Sequence, residues 1–96
     1  MSTEIAYAIT KGSVETLTYT LSSVLASKGI TINAVNPGPN DTGWMDNNLK
    51  KELETQFPSK RIGIPKDTAN LRGFLVSDDA EWITGQIIHS EGGFIR

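Results

Sequence analysis

The sequence predicts an α/β fold built on a pair of parallel strands, and three observations lead there. Two short β-branched runs, residues 30–35 and 85–89, are separated by about fifty residues of largely helical pattern, far more than a hairpin needs and suited to a parallel crossover. A long proline-free amphipathic stretch precedes the first run. Each run ends abruptly at turn-forming residues, Asn36-Pro37-Gly38-Pro39 and Glu91-Gly92-Gly93. Two strands do not complete a sheet, because strands covered on both faces need helices on each side and neighbours along each edge. The expectation is therefore part of a larger α/β sheet, ordered helix, strand, helices, strand.

The first helix is expected over residues 6–27, where Val14, Leu17, Leu21, Val24 and Leu25 recur at helical spacing and form the stripe expected to face inward. Lys28-Gly29 ends it, a cation in the last turn followed by a terminating glycine. The strand at 30–35 follows, then a long polar loop. A second helix is expected over 45–56, carrying Leu49 and Leu53 and broken by Phe57-Pro58. A third opens at Gly63-Ile64-Pro65, with Pro65 near its first position and Asp67 in its first turn, and runs to about Ser77. The strand at 85–89 closes the order, with no repeat, low-complexity tract or inter-domain linker.

Composition narrows the function. At 96 residues the chain suits a single small domain with a thin stability margin. Its hydrophobic share of 38% and charged share of 21% are those of a globular protein, and no apolar run approaches the ~20 residues of a transmembrane helix. Nine basic against eleven acidic residues, without a basic cluster, argue against nucleic acid as a partner. Without cysteine there is neither a disulfide framework nor thiolate ligation, and a lone histidine makes no zinc site, so no metal is expected. The reduced composition and the lack of a secretory pattern in MSTEIAY suit a cytoplasmic protein.

Chemistry enters with Tyr7-Ala8-Ile9-Thr10-Lys11. On a helix advancing by about 100° per residue, Tyr7 and Lys11 lie about 40° apart and share a face. A phenol with an ordinary pKa near ~10 is a poor acid or base at neutral pH, and a neighbouring ammonium stabilises its phenolate and so makes it usable for proton transfer. Tyr-x-x-x-Lys alone is a weak signal, more often a partly buried aromatic beside a lysine that reaches for water.

Its company strengthens it. Tyr7-Ala8-Ile9-Thr10-Lys11-Gly12, the strand 30–35 running into Asn36-Pro37-Gly38-Pro39, Thr42, then Trp82-Ile83-Thr84-Gly85-Gln86-Ile87-Ile88 and Gly92-Gly93 stand in the order and spacing of one family. From about Ala6 to Phe94 the chain resembles the C-terminal portion of classical short-chain dehydrogenases/reductases, similar to 3-oxoacyl-acyl-carrier-protein reductases. The resemblance implies part of a Rossmann-type, doubly wound parallel sheet, with residues 1–96 forming the C-terminal fragment of one NAD(P)-binding domain.

What the resemblance implies for single residues follows its motifs. Tyr7 would be the general acid/base that exchanges a proton with the substrate oxygen during hydride transfer between the nicotinamide of NAD or NADP and a carbonyl or secondary alcohol. Lys11 would lower the pKa of that phenol and hydrogen-bond the nicotinamide ribose. Pro37, Gly38 and Thr42 would match the cofactor-lining Pro-Gly-x-x-x-Thr pattern, with Thr42 at the carboxamide or phosphate region. A glycine there lets main chain approach a ring closely, and ligands of open α/β sheets bind beyond the carboxyl ends of strands. Trp44 and Met45 are candidate substrate contacts within the family's mobile lid, although an aromatic next to a methionine is more often simple packing. Arg61-Ile62-Gly63-Ile64-Pro65 resembles a structural turn, His89 is read as structural without an identified partner, and Glu91 stands where the family more often has aspartate. Assembly as a homo-oligomer is expected.

The family's glycine-rich pyrophosphate turn, its cofactor-selecting residue, its Asn-Asn-Ala-Gly region and its catalytic serine have no counterparts here, since only six residues precede Tyr7. The chain alone is accordingly expected to be inactive and not to be a well-folded monomer. The alternative reading is a non-catalytic module that oligomerises through its first helix and last strand.

Overall fold

A computed structural model describes residues 2–41, 43 and 45–94. Helix α1, Ser2–Ala26, is followed by strand β1, Ala34–Asn36, helix α2, Asn47–Glu54, helix α3, Pro65–Leu75, a 3-10 turn at Asp78–Ala80 and strand β2, Ile87–His89. The two strands pair in parallel, with Ala34 opposite Ile87, Val35 opposite Ile88 and Asn36 opposite His89. The parallel crossover expected from the sequence is thus present.

Local chemistry sets most boundaries. Helix α1 ends in a Schellman turn. Gly29, at φ +72°, donates to the Ala26 carbonyl, and the next N–H, of Ile30, reaches back to the Leu25 carbonyl. Asp46 caps α2 by accepting from the Leu49 N–H at 2.7 Å. Pro65 opens α3, and the Asp67 carboxylate folds back to accept the Ile64 N–H at 2.8 Å. Arg61 donates two hydrogen bonds to that same carboxylate, at 2.9 and 3.2 Å, so the Arg-x-Gly-x-Pro turn is held by its own ends.

Both strands are shorter than expected, three residues each in place of 30–35 and 85–89. Ahead of the ladder, side chains stand in for backbone pairing. Thr84 Oγ1 accepts from the Ile32 N–H at 3.0 Å, the Asn33 amide donates to the Ile83 carbonyl at 3.2 Å, and Asn33 Oδ1 accepts from the Gln86 N–H at 3.1 Å. The Gly85 N–H to Ile32 carbonyl bond at 2.7 Å completes the zipper. These residues run alongside one another without meeting the strand pattern.

The inward face of α1 also differs from expectation. Thr18 and Ser22 are buried at 5% and 7% exposure, while Val14, Leu17 and Val24 stand open. Leu21 and Leu25 are half-buried, as is Lys11. The buried face is therefore turned some tens of degrees from the apolar stripe and runs along Lys11, Thr18 and Ser22. Close approach is the reason: a Cβ added to Gly85 would lie 2.6 Å from Ser22 Oγ, leaving no room for a larger side chain on either element. Both hydroxyls are satisfied within the helix, Thr18 by the Val14 carbonyl and Ser22 by that of Tyr19.

An apolar cluster lies under α2, where Met45, Phe57 and Ile62 are buried and Leu49, Leu53 and Phe94 pack around them. The Phe57 and Phe94 rings are 4.9 Å apart and tilted by 43°, which ties the end of the chain to the segment after α2. Among the described residues no helix is long and apolar enough to cross a membrane.

Candidate functional site

An open groove of about 240 Å³ lies between the first half of α1 and the carboxyl end of β1. Tyr7, Lys11 and Val14 form one wall; Val35, Asn36 and Pro37 form the other. The sequence-predicted residues of the dyad and the Pro-Gly loop thus meet at one place, beyond the end of a strand, where open α/β sheets bind ligands.

The dyad's two members differ in setting. Lys11 sits on the buried face of α1 and is half-covered, while Tyr7, one turn nearer the helix start, is 68% exposed. The Lys11 ammonium lies 5.9 Å from the Tyr7 ring centroid, within cation–π range. The shared face expected from the spacing of Tyr7 and Lys11 is present, but the turned helix covers the lysine more than the tyrosine. A half-covered ammonium beside a ring open to the groove leaves a donor and a phenol side by side for a bound molecule.

The opposite wall is a tight turn. Asn36 Oδ1 accepts the Gly38 N–H at 3.1 Å, and Gly38 takes a positive φ of 64°, which glycine adopts without a Cβ penalty. The Asn36 carbonyl accepts the Ser90 N–H at 2.9 Å, joining this turn to the residues after β2. Farther along, Asn40 bridges to Gly63, the Asp41 N–H donates to the Gly63 carbonyl at 2.8 Å, and Asp41 pairs with Lys50 at 2.6 Å. That hydrogen bond holds the Asp41 carboxyl below its usual range and raises the Lys50 ammonium.

Thr42 and Trp44, the expected cofactor and substrate contacts of this loop, lie outside the described residues. Met45 is buried at 8% exposure among Phe57 and Ile62, so it anchors the loop from beneath. His89, read from sequence as lacking a partner, has Nδ1 3.7 Å from Glu91 Oε1. Sequence reasoning missed Asn33, Thr84 and Ser22 as the residues that fix the two walls. Asparagine, threonine and serine beside strand ends signal such side-chain pairing only weakly, because each is equally common in plain turns.

The walls of the groove combine the apolar side chains of Val14, Val35, Pro37 and Ile87 with the Lys11 ammonium, the Tyr7 phenol and the Glu15 carboxylate, and the bare main chain of Gly38 follows directly after Pro37.

Comparison with known proteins gives the family. A family model described as Enoyl-(Acyl carrier protein) reductase matches residues 1–95. An uncharacterized oxidoreductase, YjdA of Bacillus subtilis, is 59% identical over 93 residues, covering 97% of this chain and 37% of its own length. The 3-oxoacyl-[acyl-carrier-protein] reductase FabG of Staphylococcus epidermidis is 47% identical over 90 residues, 91% of this chain and 37% of the relative. Among solved structures, a short chain dehydrogenase family protein from Francisella tularensis superposes with a TM-score of 0.81 at 32% identity, over 92% of this chain and 42% of that one. The chain therefore spans little more than a third of the length of the curated relatives it matches.

Proposed function

Because the chain belongs to the short-chain dehydrogenase/reductase family, we propose that these residues supply the proton-transfer and nicotinamide-facing half of an NAD- or NADP-dependent oxidoreductase acting on a carbonyl or secondary alcohol. The observation that carries this reading is the meeting of Tyr7, Lys11 and Pro37 on one groove beyond β1. When bound, the nicotinamide donates or accepts a hydride at the carbon of the substrate's carbonyl or carbinol group.

The residues of the chain act around that transfer. In reduction the Tyr7 hydroxyl gives its proton to the substrate oxygen as negative charge develops there; in oxidation the phenolate takes the proton from the alcohol. Lys11 holds positive charge beside the ring, stabilises the phenolate and donates to the ribose hydroxyls. By the family resemblance, the Pro37-Gly38 main chain would line the ring and Thr42 would contact the carboxamide or phosphate region. Trp44 and Met45 carry the substrate side, Met45 through the loop it anchors. The pyrophosphate would be held by a glycine-rich helix start, a feature not found among these 96 residues.

The isolated chain is therefore expected to be inert, since binding and orientation of the dinucleotide supply much of the rate. NAD(P)H oxidation by the purified 96-residue chain in the presence of carbonyl substrates tests this; turnover abolished by Tyr7→Phe would overturn the expected inertness. In a longer protein carrying these residues, turnover that survives Tyr7→Phe would overturn the role given to the tyrosine.

A second reading is supported by a separate observation. Ile5, Ile9, Leu17 and Val24 of α1 are all more than half exposed, and among the described residues each strand of the two-stranded sheet has an edge without a strand partner. Apolar helix face and open strand edges favour association, so the chain would also serve as a module that pairs with a second copy through α1 and β2. The homo-oligomer expected of the enzyme would draw on the same surfaces.

A further inference from the structure

The loop that walls the groove is fastened from the side away from the dyad. Glu91, just beyond β2, is buried at 8% exposure. A Cβ added to Gly38 would lie 2.9 Å from Glu91 Cβ and 3.3 Å from its Oε2, so the side chain is seated directly against the glycine of the turn. Its other oxygen, Oε1, lies 3.7 Å from His89 Nδ1. The same segment is bound to the turn by the Ser90 N–H on the Asn36 carbonyl, and is itself closed by the Phe94 N–H on the Glu91 carbonyl at 2.9 Å. Arg61 and Asp67 share a pocket with His89 and Glu91, but the arginine is engaged by the aspartate in two hydrogen bonds.

Burying a carboxylate is costly, and an ordinary turn has no need of one. Here the side chain meets the glycine of the Pro37-Gly38 turn, whose backbone is left-handed and bare, at the strand-end side of the groove. We infer that Glu91 is a positioning residue that fixes the Pro37-Gly38 turn opposite Lys11 and so sets the depth of the nicotinamide subsite. The inference rests on reading the groove as that subsite. Glu91 acts on the cofactor only through the loop.

The test uses the protein as naturally expressed, with Glu91→Ala, Glu91→Ser and Glu91→Gln. Two quantities are read: amide hydrogen exchange at Gly38 and Ser90 against that of α1, and dissociation constants for NADH and NADPH against ADP-ribose, which lacks the nicotinamide. Glu91→Ala is expected to speed exchange at Gly38 and Ser90 about tenfold, and to weaken the preferred dinucleotide about tenfold, while α1 and ADP-ribose change less than about twofold. Glu91→Gln, which keeps the shape, should recover most of both. If Glu91→Ala folds poorly, Glu91→Ser, which also removes the carboxylate, is read by the same criteria.

Unchanged exchange at Gly38, or acceleration spread evenly over α1, would overturn the inference. Equal loss of ADP-ribose and dinucleotide would do so too, by making the effect general. Loop-confined acceleration in a protein whose wild type binds the dinucleotides no better than ADP-ribose would uphold the fastening by Glu91 and remove the nicotinamide reading of the groove.

Discussion

Lys11 places its ammonium 5.9 Å from the centre of the Tyr7 ring, one helical turn away, with the lysine half-covered and the tyrosine open to the groove. This asymmetry separates chemistry from stability. An exposed tyrosine hydroxyl contributes little to folding, so Tyr7→Phe should change stability by no more than about 0.5 kcal/mol. If the phenol is the proton carrier, the same change in a protein bearing the complete site should lower kcat by about 10²–10⁴-fold. Thermal unfolding and steady-state kinetics on one preparation check both halves. Lys11→Met should raise KM for the dinucleotide as well as lower kcat, because the ammonium is given two tasks.

How much of this was legible in the sequence depends on whether a feature is local. The Gly29 helix end, the Pro65 helix start and the parallel pairing of residues 34–36 with 87–89 follow from turn chemistry and connection length, and all are present. The face that α1 buries was not legible. Periodicity marks Leu17 and Val24 as apolar but cannot show that Gly85 comes so near Ser22 that only a small side chain fits. The strand lengths escaped for a related reason: Asn33 and Thr84 use their side chains where a ladder was expected, and nothing local tells a pairing amide from a turn amide. For the site, the dyad and the Pro-Gly turn could be named from motif and spacing, whereas the contact of Glu91 with Gly38 joins residues more than fifty positions apart.

Acid should loosen the turn into α3. Arg61, and then the Ile64 N–H, hold the Asp67 carboxyl below its ordinary value of 3.8. A carboxyl whose folded pKa is depressed stabilises the fold above its unfolded pKa and loses that contribution as pH falls through the folded value. The melting temperature should therefore drop as pH is lowered from about 5 toward 3, and Asp67→Asn should flatten that part of the profile. A drop of unchanged size in Asp67→Asn would assign the acid sensitivity to other carboxyls, of which Asp41, lowered by Lys50, is the next to test.

Gly85→Ala should destabilise the junction of α1 with the strands. The residue takes φ +73°, and the added methyl would meet Ser22 Oγ at 2.6 Å and its Cβ at 3.0 Å. Left-handed strain and overpacking together should cost about 1–3 kcal/mol, measured by urea unfolding of whichever assembly the protein forms. Ser22→Ala removes the nearer atom, so the double variant should recover part of the loss and leave the backbone share. Full additivity of the two changes would show that the helix can move away from Gly85, and that this contact does not fix the approach of α1.

The open face of α1 predicts association. Leu17 and Val24 are 56% and 59% exposed, although they belong to the stripe that periodicity marks for burial. On area grounds each buried leucine- or valine-sized side chain is worth about 1.5–3 kcal/mol, enough for a pair of such helices to bring chains together at ordinary concentrations. The purified 96-residue chain should therefore sediment above monomer mass and unfold with a midpoint that rises with concentration. Leu17→Glu and Val24→Glu should shift it toward monomer and broaden the transition. Because neither residue lines the Tyr7 groove, the variants should leave that site's chemistry in a longer protein reduced only as far as assembly is required for it. A sharp, concentration-independent transition from a species of monomer mass would show that the exposed stripe needs no cover, and would remove the association reading while leaving the groove as described.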